Sequence, residues 1–514
     1  MARLHEYQGK KLLAEAGIKV PKHAVVTSCA TVAEAVTSVG LPAVIKAQAW
    51  TTGRASIGGI AFAGTADEAK EAVAKMLALE VKGFPVTEVL IEEKLPIKRE
   101  FYLGIIIDDT NKCPRMIFSS VGGTGIEEIA KAHPDKVAHH VIDFRWGLRD
   151  FEARNAIRKT GITGALQASL AGVAVKLYKV ARKHETRAAE INPLVELESG
   201  EIAACDCRIT VDDYAVFRHP ELGIEIAREF GHPPTELDKI AYNVEKNDYR
   251  GTFYFIELAR GYKKGEGYLG FHGAGGGGSM MSMDALAKRG YKIANFCDTS
   301  GNPPASKVYR AAKIILSQPN IDGYFGSGSG VASQEQFHSA RGLVKAFREE
   351  NLWIPAVIRL GGNMEDLAIN ILVNYTKVVS APVEGYKKDD PADFCAERMK
   401  KLLAEYQPSA ARPQPRPKPV AQKPYTFKTL TGSVTYDHAI CVTCASKVCI
   451  RTCVPQILKL EDGVPVLAIG EDEAAKGKCT ECLACEVECA VHGAGGGYVD
   501  LPVPGLGEYR TKNR

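Results

Sequence analysis

The chain has 514 residues, 45% of them hydrophobic and 25% charged, the balance of a soluble protein with room for three or four domains. Its formal net charge is +4, and it has no long basic stripe with interleaved aromatics, so nucleic acid is not an expected partner. Arg3, His5, Glu6, Lys10 and Lys11 stand where an export signal would be apolar. No stretch offers the roughly 18 apolar residues of a membrane span, so a cytoplasmic protein is expected.

Residues 1–238 mix helical patterns, "ATVAEAVTSVG" and "ADEAKEAVAKMLALE", with β-rich runs such as "PAVIKAQ", "EVLIEEKL" and "FYLGIIID". That texture predicts an α/β or α+β domain with antiparallel pieces. Over residues 239–403 the order becomes regular. "GYLGFHGAGGGG", "KIANFCDTSG", "IDGYFGSGSG" and "IPAVIRLGGN" are short apolar strands, each running into a glycine or serine cluster and then a helix. In the third of these, Phe337, Ala340, Leu343, Val344 and Phe347 share one helical face. The repetition predicts a doubly wound parallel sheet with ligand loops at the carboxyl ends of its strands. Residues 404–425, "AEYQPSAARPQPRPKPVAQKPY", are rich in Pro, Ala and basic residues and read as a semi-rigid extended linker. Residues 426–514 form a small terminal module. Eight of the 14 cysteines lie between 441 and 489; Cys29, Cys113, Cys205, Cys207, Cys297 and Cys395 are scattered and read mostly as buried small hydrophobes.

Two segments carry phosphate chemistry. "VIKAQAWTTGRASIGG" puts Lys46 on an apolar strand ahead of a loop with Gly53, Gly58 and Gly59. A strand lysine meets phosphate oxygens as a point charge, and a glycine loop brings backbone N–H groups to them. The same residues also read as a plain β-hairpin. "RAAEINPLVELESGEIAACDCR" presents Glu190, Asn192 and Asp206, with a turn at "ESGE" that can bring Asn192 and Asp206 together. Hard oxygen ligands of this kind suit Mg²⁺ on ATP phosphates, although an ordinary surface hairpin has the same composition.

"LHEYQGKKLL", "VIKAQ", "TGRASIGG", "REFYLGIIID", "EINPLVELESGEIAACD", "NPPASKVYRAAKIIL" and "VIRLGGNMEDLA" resemble, in order and spacing, the β subunit of succinyl-CoA synthetase over residues 1 to about 390. The resemblance implies an ATP-grasp domain over 1–238 and a flavodoxin-like CoA-ligase domain over 239–403. It implies ATP contacts at Lys46, Gly53, Arg54, Ala55 and Leu95, with Glu92 toward the adenine end and Glu100 at the ribose. It further implies Mg²⁺ ligands at Asn192 and Asp206, and a carboxylate, Glu190, facing a phosphorylated histidine. His272, Gly330, Val331 and Ala332 fall on the side of substrate and phosphohistidine. The phosphohistidine and most of the CoA belong, by the same resemblance, to an α-type partner subunit. Ser56 replaces a lysine of the family pattern, His272 an asparagine and Ser333 an arginine. Loss of an arginine fork argues for a carboxylic acid other than succinate. His272 itself reads as a satisfied loop histidine.

The terminal module reads "CVTCASKVCIRTCVP" and "CTECLACEVECA". The second run is C-x₂-C-x₂-C-x₃-C, the bacterial ferredoxin spacing, and the first lengthens the middle gap. Two such runs specify two [4Fe–4S] clusters in a small α+β ferredoxin-like domain. Crossed ligation would join Cys441, Cys444 and Cys449 with Cys489, and Cys479, Cys482 and Cys485 with Cys453. Zinc competes for any C-x₂-C pair, but paired runs ending in C-x₃-C favour iron–sulfur. "ILKLEDGVPVLAI" between the runs reads as a hairpin around Asp-Gly.

These features imply the β-type subunit of an ADP-forming acid–CoA ligase, using ATP, Mg²⁺ and a carboxylic acid and tethered by its ferredoxin domain to a redox enzyme. The alternative is an electron-transfer subunit of an ATP-dependent or acyl-CoA-linked oxidoreductase.

Overall fold

The computed structural model describes residues 1–513 except 52, 123–132, 229, 247, 249–252, 329–331 and 408–411. The chain divides into two units, residues 1–234 and 235–514.

In the first unit, an antiparallel four-stranded sheet has the order His23–Val26, Val89–Glu93, Ala43–Ala47, Ile60–Ala63. Period-two alternation sends Ala43, Ile45 and Ala47 into a core with Val36 and Val39 of helix Val32–Val39 and Val73 and Met76 of helix Ala66–Leu77. The intervening Lys46 therefore points to the opposite face. The Thr65 side chain caps the second helix, accepting from the Glu68 N–H at 3.2 Å.

A seven-stranded antiparallel sheet is built on two 12-residue strands, Ile97–Asp108 and Thr186–Leu197. Helix Gly164–Lys183 buries Leu170, Ala174 and Leu177 in the same core as Leu103 and Ile191 of these strands. Pairing shifts register between Ile191 and Leu194. There the Asn192 N–H donates to the Asp206 carbonyl at 3.1 Å, so the "ESGE" turn does bring these two positions together.

The second unit holds a six-stranded sheet. Its five parallel strands, in chain order Tyr268–Ala274, Lys292–Asp298, Gly323–Gly328, Ala356–Arg359 and Val383–Tyr386, are arranged 2-1-3-4-5, with Tyr254–Glu257 antiparallel at the edge. This is the doubly wound order whose ligands sit beyond the carboxyl ends of the strands. Helices Ala305–Ile315 and Phe337–Glu349 belong to one core cluster, while Gly276–Ala287 and Ala392–Glu405 contribute to another. The first two helices approach closely at Gly342, where a Cβ would lie 2.5 Å from the Ala305 carbonyl oxygen.

Residues after the proline-rich segment add the antiparallel sheet Pro424–Lys428, Ser433–Asp437, Gly497–Asp500 and the hairpin Leu458–Glu461 with Val464–Leu467. Asp462 and Gly463 both have positive φ, 49° and 78°, as a primed two-residue turn requires. This terminal part shares its unit and its core with the doubly wound sheet: Tyr324, Phe347, Tyr436 and Val499 are in one hydrophobic cluster. Buried charges cross the seam. Lys345 Nζ lies 2.6 Å from Glu486, Arg510 3.0 Å from Glu350, and Arg310 donates to Thr431 Oγ1 at 2.8 Å. The proline-rich segment runs without helix or strand over residues 412–420, but it is fixed: Arg412 stacks on Trp353 at 4.2 Å, Arg416 donates to Asn351 Oδ1 at 3.1 Å, and Lys418 pairs with Asp500 at 2.7 Å. Among the described residues, no helix is long and apolar enough to cross a membrane.

Candidate active site and thiol sets

The site in the first unit starts from helix Glu6–Glu15, whose first turn places Glu6 under Lys10, 2.7 Å away at i+4. On an exposed helix that pair would contribute little; here Lys10 is fully buried and also pairs with Glu92. Lys46 joins them, 3.0 Å from Glu6, paired with Glu92 and donating to the Cys205 carbonyl at 2.9 Å. Arg54 closes the network with Nη2 2.7 Å from Glu6 and 2.6 Å from Asp206. Three cations thus alternate with three carboxylates. Burial alone would push the Glu6 carboxyl up, yet Lys10, Lys46 and Arg54 hold it well below the ordinary carboxylate range. Burial disfavours the Lys46 charge, and Glu6, Glu92 and Asp206 outweigh it and hold its pKa above the usual lysine range.

One cavity beside this network gathers Gly53, Arg54, Ala55, Glu190, Asn192 and Asp206, with Glu6 in its wall. Its carboxylates are less compensated than Glu6. Burial raises the Asp206 carboxyl, Glu6 raises it further, and Arg54 and Lys46 oppose them. Burial likewise raises Glu190 against the pull of Arg208 and Arg3. Carboxylates held this way in a cleft can take a further cation.

Other expected residues lie elsewhere. Glu92 sits between the two lysines, 3% exposed, because its strand neighbours that of Lys46. Leu95 packs against Val195, Leu197 and Ala203, and Glu100 is exposed opposite Val195. None of the three lines the cavity. Glu6, Lys10 and Arg3 count in the sequence only as charges against an export signal, and Arg208 carries no expectation there. The one local signal for the first two is their i,i+4 spacing, which is common on solvent-facing helices.

In the second unit His272 is on the strand Tyr268–Ala274, not in a loop. It is buried, with Nδ1 2.5 Å from the Tyr324 hydroxyl and Nε2 3.2 Å from Thr299 Oγ1. Burial pushes its pKa down to about 4, so the ring is neutral at physiological pH. Ala332 forms a parallel bridge with Gly362, and Ser333 Oγ accepts from Asn302 Nδ2 at 2.9 Å. Gly330 and Val331 lie outside the described residues.

The eight terminal thiols fall into two sets. Burial pushes Cys441 up to about 12, followed by the thiols of Cys489, Cys449 and Cys444. Cys449 is raised to about 11 by burial and then by Cys489. In the second set burial raises Cys479 to about 12 with Cys482 and Cys453 contributing, and raises Cys485 with Cys482 and Cys479 contributing. Cys453, Cys479, Cys482 and Cys485 line one cavity with Phe427, Val434, Leu483 and Val499. Tyr436, fully buried, is raised by burial and then by Cys485, Cys449 and Cys453, so it feels both sets. Among the described residues, the trio of His, Cys, Asp or Glu with ligand atoms all within 4.8 Å of one another is His184, His219 and Glu221, and no three thiols are that close.

The first unit's sheets and the doubly wound sheet after them define an ATP-grasp protein with an added α/β domain. The family described as ATP-grasp domain matches residues 3–196. The GDP-forming succinate–CoA ligase β subunit of Thermus thermophilus is 35% identical over 370 residues, 72% of this chain and 93% of its own. The ADP-forming β subunit of Ignicoccus hospitalis is 35% identical over 372 residues, again 72% and 93%. The chain belongs to the succinate–CoA ligase β-subunit family. The structure of ATP citrate lyase from Methanothrix soehngenii, in complex with citrate and coenzyme A, shares the fold, with a TM-score of 0.61 and 21% identity over 79% of this chain and all of that one.

Proposed function

We propose that the chain works as the β-type subunit of an ADP-forming acid–CoA ligase that also carries two [4Fe–4S] clusters. It is a ligase subunit, forming a carbon–sulfur bond. The observation that carries the reading is the meeting of Arg54, Glu190, Asn192 and Asp206 at one cavity, with Lys46 linked to it through Glu6.

Asn192 and Asp206 would hold Mg²⁺, which when bound neutralises the charge of the ATP phosphates. Arg54 now occupies the Asp206 carboxylate at 2.6 Å. For the metal to bind, Arg54 has to leave Asp206 for the phosphates, exchanging one anionic partner for another. Lys46, held charged by Glu6 and Glu92, fixes the Glu6 carboxylate that steadies Arg54 at the cavity wall. Glu190 faces a histidine of an α-type partner, receives the imidazole N–H and so orients the other ring nitrogen toward the phosphoryl group. Positioning and charge neutralisation supply the catalysis. The ATP contacts proposed at Gly53, Arg54 and Ala55 line the same cavity, while Glu92, Leu95 and Glu100, proposed for the rest of the nucleotide, lie outside its lining.

Cys441, Cys444, Cys449 and Cys489 would hold one cluster, and Cys453, Cys479, Cys482 and Cys485 the other. The sorting of the thiols supports this, as does their spacing. A zinc tetrathiolate needs sulfurs roughly 3.8 Å apart, closer than any three thiols here. Bound clusters supply one-electron transfer. A module anchored by Lys345 and Arg510 presents its clusters to a redox partner on a fixed face, in a reducing compartment such as the cytoplasm.

The test is label from the γ-phosphate of ATP. The chain alone binds Mg·ATP and takes no acid-labile label; with an α-type partner, acid-labile label accumulates on the partner and Glu190→Gln abolishes it. Acid-labile label on this chain alone would overturn the two-chain mechanism.

A further inference from the structure

The first unit contains a second constellation of ligand-type side chains, sharing no residue with the cavity of Glu190 and Asp206. We propose that His184, His219 and Glu221 bind a divalent transition-metal ion of the zinc type. His184 is the C-cap of helix Gly164–Lys183, its N–H donating to the Val180 carbonyl at 3.0 Å. His219 stands between the single turns Val216–Arg218 and Pro220–Leu222, and Glu221 lies in the second of them.

The ligand atoms converge. Glu221 Oε1 is 3.1 Å from His219 Nδ1 and 3.7 Å from His184 Nδ1, and each residue offers one ligand atom such that the three lie within 4.8 Å of one another. Tetrahedral coordination with bonds of about 2.0–2.1 Å places ligands roughly 3.3 Å apart, so the trio needs only small rotations to enclose an ion. A second observation is independent of this spacing. His184 is 3% exposed, and its Nδ1 is buried without a hydrogen-bond partner. An imidazole nitrogen desolvated and left unsatisfied is costly, and a metal at this point would satisfy it.

The surroundings match a metal-bound histidine as well. The other nitrogen of His219, Nε2, is 3.0 Å from Glu185 Oε2, and Arg218 clamps that carboxylate at 2.7 and 2.8 Å. A carboxylate behind the ring fixes its tautomer and strengthens it as a ligand. Two imidazoles and one carboxylate suit zinc-type ions, whereas Mg²⁺ and Ca²⁺ select oxygen. Glu221 is half exposed, which leaves a fourth position for water. The ion would pin the 216–222 turn to the end of the helix.

The experiment is a Co²⁺ and Zn²⁺ titration of the full chain against a competing chelator. Cobalt discriminates between donor sets, because thiolates give intense charge-transfer absorption while a histidine–carboxylate site gives d–d bands alone. One equivalent is expected to show d–d bands without charge transfer, to be displaced by Zn²⁺ and not by Mg²⁺, and to weaken about tenfold or more in His219→Ala and in Glu221→Gln. Zn²⁺ should raise the unfolding midpoint of the parent chain and leave that of His219→Ala unchanged. Glu221 is half exposed, so Glu221→Gln remains folded, and the metal-free unfolding midpoint of His219→Ala, whose side chain is largely covered, separates lost binding from lost fold. Cobalt seen through thiolates alone, or equal d–d-site affinity in parent and both variants, overturns the proposal.

Discussion

Two buried charge networks use the same side chains to opposite ends. At the seam of the second unit, Lys345 lies between Glu349 and Glu486 at 2.7 and 2.6 Å, Lys313 pairs with Glu349 and Glu350, and Arg510 and Arg412 complete Glu350. The rings of Tyr498 and Tyr309 cover the Lys345 ammonium at 4.3 and 5.2 Å. Burial opposes the Glu349 and Glu350 charges, and the cations outweigh it and hold both carboxyls low, whereas burial raises Glu486 against the pull of Lys345. In the first unit Glu6 is balanced in the same way, but the network ends at a cavity where Asp206 and Glu190 are held high. Both networks border a cavity, but the seam network is closed, each of its carboxylates, Glu486 included, being held by Lys345, Lys313 or Arg510; the first opens on Glu190 and Asn192, which share the Asp206 cavity and can take a cationic ligand.

Breaking the closed network should give the largest effect. Lys345→Met strands Glu486 and Glu349 in the core, and removing one partner of a buried pair costs about 3–5 kcal/mol. Denaturant unfolding measures it, and Lys345→Met with Glu486→Met should recover part of the loss, since the one carboxylate left, Glu349, keeps Lys313 and the Tyr309 hydroxyl as partners. Truncation near residue 410 uncovers the same seam, so the shortened chain should aggregate or unfold at lower denaturant. A truncated chain as stable as its parent would show the seam to be incidental. At the open network the effect should fall on chemistry. Asp206→Asn should lower Mg·ATP-dependent acyl-CoA formation with the partner by about 10²-fold or more, while stability and the visible spectrum of the terminal module stay as in the parent. Unchanged turnover would remove Asp206 from the metal site.

What could be read from sequence follows the reach of each interaction. The doubly wound sheet was legible because each strand runs into its own glycine cluster within a dozen residues, and the hairpin because Asp462-Gly463 is a local turn. Lys46, Asn192 and Asp206 were legible as residue types on strands. Glu6 and Lys10 were not, since their burial depends on Glu92, Lys46 and Asp206, some 40 to 200 positions away. The proline-rich segment shows the same limit. Its composition dictates an extended backbone, but the partners that fasten it, Trp353, Asn351 and Asp500, are remote in sequence. His272 was read as a loop residue because a polar side chain ends the apolar run at a glycine cluster. Tyr324 and Thr299 satisfy it inside the sheet.

His272 gives the smallest effect and separates the two roles within a single side chain. If it carried the phosphoryl group, it would need a free ring nitrogen; both are engaged, and the ring is neutral with a pKa near 4. His272→Asn should therefore leave label transfer to the partner within about twofold, while costing about 1–2 kcal/mol above pH 7 through a lost hydrogen bond. The pH dependence has a definite sign. A histidine whose folded pKa is depressed leaves stability intact above its unfolded value of 6.5, and stability falls as the pH drops toward 4, because the unfolded chain takes the proton first. The asparagine variant has no such proton to take. Its deficit relative to the parent should shrink steadily between pH 6.5 and pH 4 and vanish or reverse at the acid end. Parallel stability curves for the two proteins would mean that His272 is not buried neutral, and would reopen it as a reactive group.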